Sequence, residues 1–124
     1  MKIEVSLGEV VDKLTILDIK RDKITDPEKF ENVKKEYDYL SSELANNGFY
    51  QDNPYYKELY DINLQLWEIE DELRELEKKS HFEGYFIDLA RKVYKTNDKR
   101  AAIKRKINVE YKSTFVEEKS YAQY

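Results

Sequence analysis

From Leu59 to Leu76 the apolar residues Leu59, Ile62, Leu66, Ile69, Leu73 and Leu76 recur at steps of three and four without a break. That spacing puts them on one face of an α-helix. An isolated helix of this kind is marginal in water, so the seam requires partner helices. The chain supplies three more seams, which makes a helix bundle the economical solution.

The first helix opens at Ser6, whose hydroxyl can accept from the Glu9 amide while Glu9 reaches back, and its seam is Leu7, Val10, Leu14, Leu17, Arg21 and Ile24. The second starts at Asp26-Pro27, the cap-plus-proline signal, and carries Phe30, Val33, Tyr37, Leu40 and Leu44. It stops at Asn46-Asn47-Gly48, where the glycine can turn left-handed. Asn53-Pro54 repeats the start signal for the third helix, and Lys78 and Lys79 place cations at its negative end. For the fourth, Ser80 and Glu83 form a second capping box, while Gly84 could instead end the third helix; the reading adopted starts the fourth at Ser80. Its stripe is Phe86, Leu89, Val93, Thr96, Arg100, Ile103 and Ile107, interrupted by the polar run Thr96-Asn97-Asp98, so the helix bends there or turns polar groups inward. The expectation is an all-α, up-and-down antiparallel four-helix bundle in a single domain over residues 1–124. Its irregular C-terminal tail, 113–124, can be pinned to the bundle by Phe115, Val116 and Tyr121.

Composition removes most catalytic chemistry. There is no cysteine, so disulfides, thiolate metal sites and cysteine nucleophiles are excluded. His81 is the single histidine, too few for a two-histidine zinc helix or a histidine-bearing di-iron site. Gly8, Gly48 and Gly84 are widely separated, so no glycine loop cradles a phosphate or a dinucleotide. No catalytic residue, metal site or cofactor is therefore assigned. Carboxylates are the exception: Glu28 with Glu31, and Glu68 with Asp71, place acidic pairs on two helices, an arrangement similar to that of the helical magnesium-dependent nucleotide pyrophosphohydrolases. The same pairs also suit a solvated acidic face. Residues Met1 to Val5 carry no secretion signal, and no apolar run is long enough to span a bilayer; a cytoplasmic protein without a membrane partner is expected.

Charge is distributed unevenly. Between Arg91 and Lys106 eight cations face Asp98 alone, so this stretch carries +7 in a chain of net charge −4 and leaves −11 for the remainder. The third helix is acidic, with eight acids and four bases between Tyr55 and Lys79, so its attraction to the fourth can be structural. Arg100 falls on an apolar stripe, and a guanidinium there needs a partner. Asp12, Asp18, Glu70 and Asp71 are candidates, as is a bound phosphate or carboxylate. Asn97, Arg100 and Lys104 recur at three and four residues and form the candidate anion site. Nucleic acid fits poorly, because the acidic remainder repels it. Eleven tyrosines, with Tyr55, Tyr56 and Tyr60 beside Phe49 and Tyr50, suggest a homodimer interface or a loop folded over the core.

The phrases Glu4-Val5-Ser6-Leu7-Gly8-Glu9, Asp12-Lys13-Leu14-Thr15-Ile16-Leu17, Asn63 with Leu66-Trp67-Glu68-Ile69-Glu70-Asp71, Val93 through Arg105 and Val116 through Tyr121 resemble a small family of uncharacterised proteins from bacteria and their viruses. The resemblance implies one intact domain of unknown function and supplies no catalytic residues. Three readings follow: a non-enzymatic accessory or binding protein that takes a phosphate or phospho-sugar at Asn97, Arg100 and Lys104; a homodimeric interaction module; and a magnesium-dependent hydrolase.

Overall fold

The computed structural model describes residues 1–124. Four helices, α1 (Leu7–Lys23), α2 (Pro27–Asn46), α3 (Pro54–Lys78) and α4 (Gly84–Glu110), hold 89 of them, and there is no strand. The architecture is an all-α four-helix bundle. No helix is long and apolar enough to cross a membrane.

Three of the four starts follow their cap signals. Ser6 accepts from the Glu9 amide at 3.2 Å, Asp26 from that of Lys29 at 3.0 Å, and Asn53 from that of Tyr55 at 2.9 Å. Each satisfies an amide that the helix leaves without an internal partner. Gly48 ends the α2 turn with φ +77°, as the Asn-Asn-Gly sequence requires. The start of α4 differs from expectation. Ser80 adopts φ +56° in the turn after α3 and caps nothing; α4 begins at Gly84 with Glu83 as its N-cap and no side-chain cap bond. The amide of His81 closes back on the Leu76 carbonyl at 2.9 Å and that of Ser80 on Glu77 at 3.0 Å, so the α3 C-terminus captures the segment that would have carried the capping box.

Helix α1 packs against all three others, α3 packs along α4, and α2 touches α1 alone. The core is a cluster of Val11, Leu14, Leu44, Phe49, Tyr56, Leu59, Ile103 and Ile107. Each contributes about 1.5–3 kcal/mol by leaving water, before chain entropy is charged against it. Phe49 belongs to that cluster, so the loop after α2 does fold over the end of the core. The thin side of Gly8 brings α1 onto α4: a Cβ there would lie 2.5 Å from the Lys104 carbonyl oxygen and 2.8 Å from Asn108 Oδ1. Helix α4 runs unbroken through its polar stretch and buries Thr96, so polar groups turn inward there.

Candidate functional site

Asp12 is 1% exposed, on the side of α1 that faces α3 and α4. Its Oδ1 accepts from Asn63 Nδ2 at 2.9 Å and from Arg100 Nε at 2.8 Å, and its Oδ2 accepts from Arg100 Nη2 at 2.5 Å. Asn63 Nδ2 also donates to Thr15 Oγ1 at 2.8 Å, and Thr15 donates to the Asp12 carbonyl at 2.7 Å. Every buried polar side-chain atom in the chain has a partner. Of the sequence's candidate partners for Arg100, Asp12 is the one in contact. That hydrogen bond and the Asp12 charge raise the Arg100 pKa further, against the opposing effect of burial.

The pairing does not exhaust the guanidinium. It has five N–H donors, and the fork to Asp12 uses two. Nη1 makes only a long contact, 3.5 Å, to Asn97 Oδ1, and the side chain keeps 29% of its exposure. One helical turn on, Lys104 Nζ donates to Glu9 Oε2 at 2.6 Å. The Glu9 carboxylate is thus drawn to α4.

The tail forms the opposite wall. Glu117 accepts from the Ser6 hydroxyl at 2.5 Å and from Asn108 Nδ2 at 2.9 Å, while Asn108 Oδ1 accepts from the Gly8 amide at 2.6 Å. Burial opposes ionisation of Glu117, but the Ser6 hydroxyl, a backbone bond, the Lys104 charge and Asn108 together hold its carboxyl below the usual range. Glu118 pairs with Arg105 at 3.0 Å, and the Tyr124 hydroxyl donates to Asp98 at 2.6 Å beside an edge-on contact with Tyr94. Between these pins and α4 lies a cavity of about 270 Å³ lined by Asn97, Arg100, Ala101, Ala102, Lys104, Arg105, Asn108, Glu117, Glu118, Lys119 and Tyr121.

All three sequence-predicted site residues line this cavity. Tyr121, expected to pin the tail, lines it as well, and what sequence reasoning missed is the rest of the frame: Asn63, Asn108, Glu117 and Glu118. Asn63 left a signal, because it stands four residues after Leu59 and three before Leu66, at a buried position that the apolar reading passed over. The acidic pairs Glu28/Glu31 and Glu68/Asp71 stand on α2 and α3, which do not touch, and no three acidic or imidazole side chains converge as a metal site would require. Nor does the tyrosine-rich end offer more than one exposed ring. Tyr56 is buried with its hydroxyl on Asp18 at 2.7 Å, Phe49 packs against Tyr111, and only Tyr50 of the group stands exposed.

No curated protein and no solved structure matches the chain. A family model described as a family of unknown function, DUF6165, matches residues 1–124, and the chain belongs to that family.

Proposed function

We propose that the protein is a non-enzymatic binding or accessory protein that holds a small anionic molecule, of the phosphate or phospho-sugar class, between α4 and the C-terminal tail. One observation carries the reading: Arg100 is clamped from beneath by a buried carboxylate, with three donors left over at the wall of a cavity. An arginine oriented this way loses little conformational freedom on meeting an anion. Lys104 adds a point charge, and Asn97 adds an amide. Glu118 and Tyr121 offer acceptors for the hydroxyl groups of a sugar. A cytoplasmic setting in a bacterium or one of its viruses belongs to the same reading.

The test is thermal unfolding with inorganic phosphate, a hexose phosphate and the uncharged hexose, at low ionic strength. Ligand at ten times its Kd stabilises by about 1.4 kcal/mol, and that moves Tm by about 4–7 °C for a chain of this size. Arg100→Gln and Lys104→Gln should each remove most of that response, whereas Lys106→Gln should keep it. Because Arg100→Gln strips Asp12 of its partner, Lys104→Gln is the cleaner variant. A parental response from Lys104→Gln, or an equal response to the uncharged hexose, overturns the reading.

A further inference from the structure

The attraction expected between acidic α3 and basic α4 makes no direct ion pair inside the chain. No carboxylate of α3 lies within 4 Å of any cation of α4: the cations of α4 that pair at all do so with Asp12, Glu9 and Glu118. The charges on the two helices are ordered. Lys92, Lys99 and Lys106 stand seven residues apart, as do Asp61, Glu68 and Glu75, and all six are exposed. Apart from Asp61, which pairs along α3 with Lys57 at 3.0 Å, none of the six makes an ion pair. Two heptad steps make each a column about 21 Å long on its helix.

Both columns look away from α1. On α4, Lys104 and Asn108 reach α1, and Lys92, Lys99 and Lys106 lie on the other flank of the buried seam. On α3, Tyr56 and Asn63 reach α1, and Asp61, Glu68 and Glu75 lie one residue before the half-buried Ile62, Ile69 and Leu76, on the far flank. The α3–α4 layer therefore has one face covered by α1 and an opposite face, bare but for the Tyr124 ring over Lys95, that is negative along α3 and positive along α4.

We infer that this bare face is a homodimer interface, closed by a second copy of the chain through pairing of the acidic α3 column with the basic α4 column. A two-fold axis parallel to the helices lays α3 of each copy on α4 of the other, so one charge arrangement satisfies both sides. The face is about 37 Å long and two helices wide, about 20 Å, which is close to the roughly 800 Å² per partner of a standard interface. Nucleic acid suits it less, because the α3 column repels a polyanion along the length over which the α4 column attracts it. The inference is independent of the anion cavity, which lies on the tail side of α4, and it differs from a dimer through the tyrosine-rich end.

Sedimentation of the whole chain tests it. The parent should dimerise, with a Kd that rises at least about tenfold between roughly 20 and 500 mM salt, as exposed charge pairs are screened. Lys92→Glu/Lys99→Glu and Glu68→Lys/Glu75→Lys should each sediment as monomers. Mixed one to one, they should regain the dimer mass as a heterodimer, since each then meets its complement. Circular dichroism and the phosphate response of each variant report separately on folding and on the cavity. A monomeric parent at low salt, a reversal variant that still dimerises, or a mixture that stays monomeric overturns the inference. So does loss of the dimer in Tyr50→Ser, which would place the contact at the tyrosine-rich end. Binding of a labelled oligonucleotide by a monomeric parent, abolished in Lys92→Glu/Lys99→Glu, would reassign the α4 column to nucleic acid.

Discussion

The base of the α3–α4 hairpin, where α1 packs, and its distal arm are built on the same apolar seams but differ in what covers them. At the base, α1 and the Phe49 loop close over the hairpin, and Leu14, Leu59 and Ile107 lose all contact with solvent. In the arm, from Trp67 to Lys95, Leu89 alone is buried, and Ile69, Leu73, Leu76, Phe86 and Val93 stay half-exposed. A seam therefore identifies which side of a helix is sticky, while a third layer decides how much of it leaves water. Two helices in contact cover only the strip between them. Adding α1 turns that strip into an interior.

If this contrast is right, Leu59→Ala should have the largest effect, about 4 kcal/mol within the usual 2–5 for opening a core cavity, measured by urea unfolding. A loss under about 1 kcal/mol would mean that the base is no better packed than a surface. Next comes Arg100→Gln. The Asp12–Arg100 pair is the hydrogen bond between α1 and α4 that lies farthest toward the arm, so it holds the edge of the covered region. Removing the guanidinium leaves a carboxylate buried without its charge partner, for a loss of about 3 kcal/mol, the low end for such pairs because Arg100 retains some water. The double variant Asp12→Asn/Arg100→Gln should lose less than the sum of its single variants, since the amide keeps an acceptor for Asn63 without an unpaired charge. Strict additivity would show that the two residues do not act together.

Helix existence, three of the four starts and the Gly48 stop could all be read from cap chemistry, because those signals act within four residues. The Ser80 error came from the same rule. A capping box and a C-terminal turn competed for one segment, and the turn won through contacts back to Leu76 and Glu77. The strip Asn97, Arg100, Lys104 was legible because it lies on one helix, where spacing fixes the side chain's direction. Its frame was not. Asp12 stands 88 residues from Arg100 and Glu117 stands 111 from Ser6, and no local period encodes a partner at that separation. Nor could α1's position against three helices be read, since a seam does not name its neighbour. The tail is pinned by the hydrogen bonds of Glu117 and Tyr124; of the three residues to which the sequence pointed, Tyr121 lines the cavity and Val116 is half-buried, while Phe115 stands exposed.

The arm supplies a smaller effect. Leu73→Ala removes a side chain that already meets solvent, so the vacated space fills with water instead of forming an empty cavity, and the loss should be about 1 kcal/mol. Hydrogen exchange should show the same asymmetry, with arm amides opening well below the global unfolding free energy and base amides only with it. Dimerisation through the bare face would narrow the gap. Arm protection that rises with protein concentration would therefore link the two observations, and protection equal to that of the base in dilute monomer would break the contrast.

The smallest effect concerns the tail, whose attachment is polar where the base is apolar. Glu117 is held below the ordinary carboxylate range, against burial, by Ser6, a backbone bond, Lys104 and Asn108. In the unfolded chain its carboxyl titrates near about 4.3. A group whose folded pKa is depressed contributes its full stabilisation above the unfolded value and loses it as pH falls through the folded one. Acidification below about 4 should therefore release residues 114–124 while the base, whose contacts are mostly apolar, stays folded. Glu118 does not prevent this, because its pair with Arg105 is exposed and an exposed pair holds little. The measurement is NMR of the tail resonances from pH 7 down to about 3, a range that spans the ordinary carboxylate titration. A transition confined to the tail, preceding any loss of core signals, is the expected outcome. In Glu117→Gln the tail should be loose at neutral pH, because an amide has one acceptor oxygen where the carboxylate accepts from both Ser6 and Asn108, and carries no charge for Lys104. Tail signals that disappear only with those of Leu14 and Ile107 would show that residues 114–124 belong to the base's cooperative unit and are not attached to it separately.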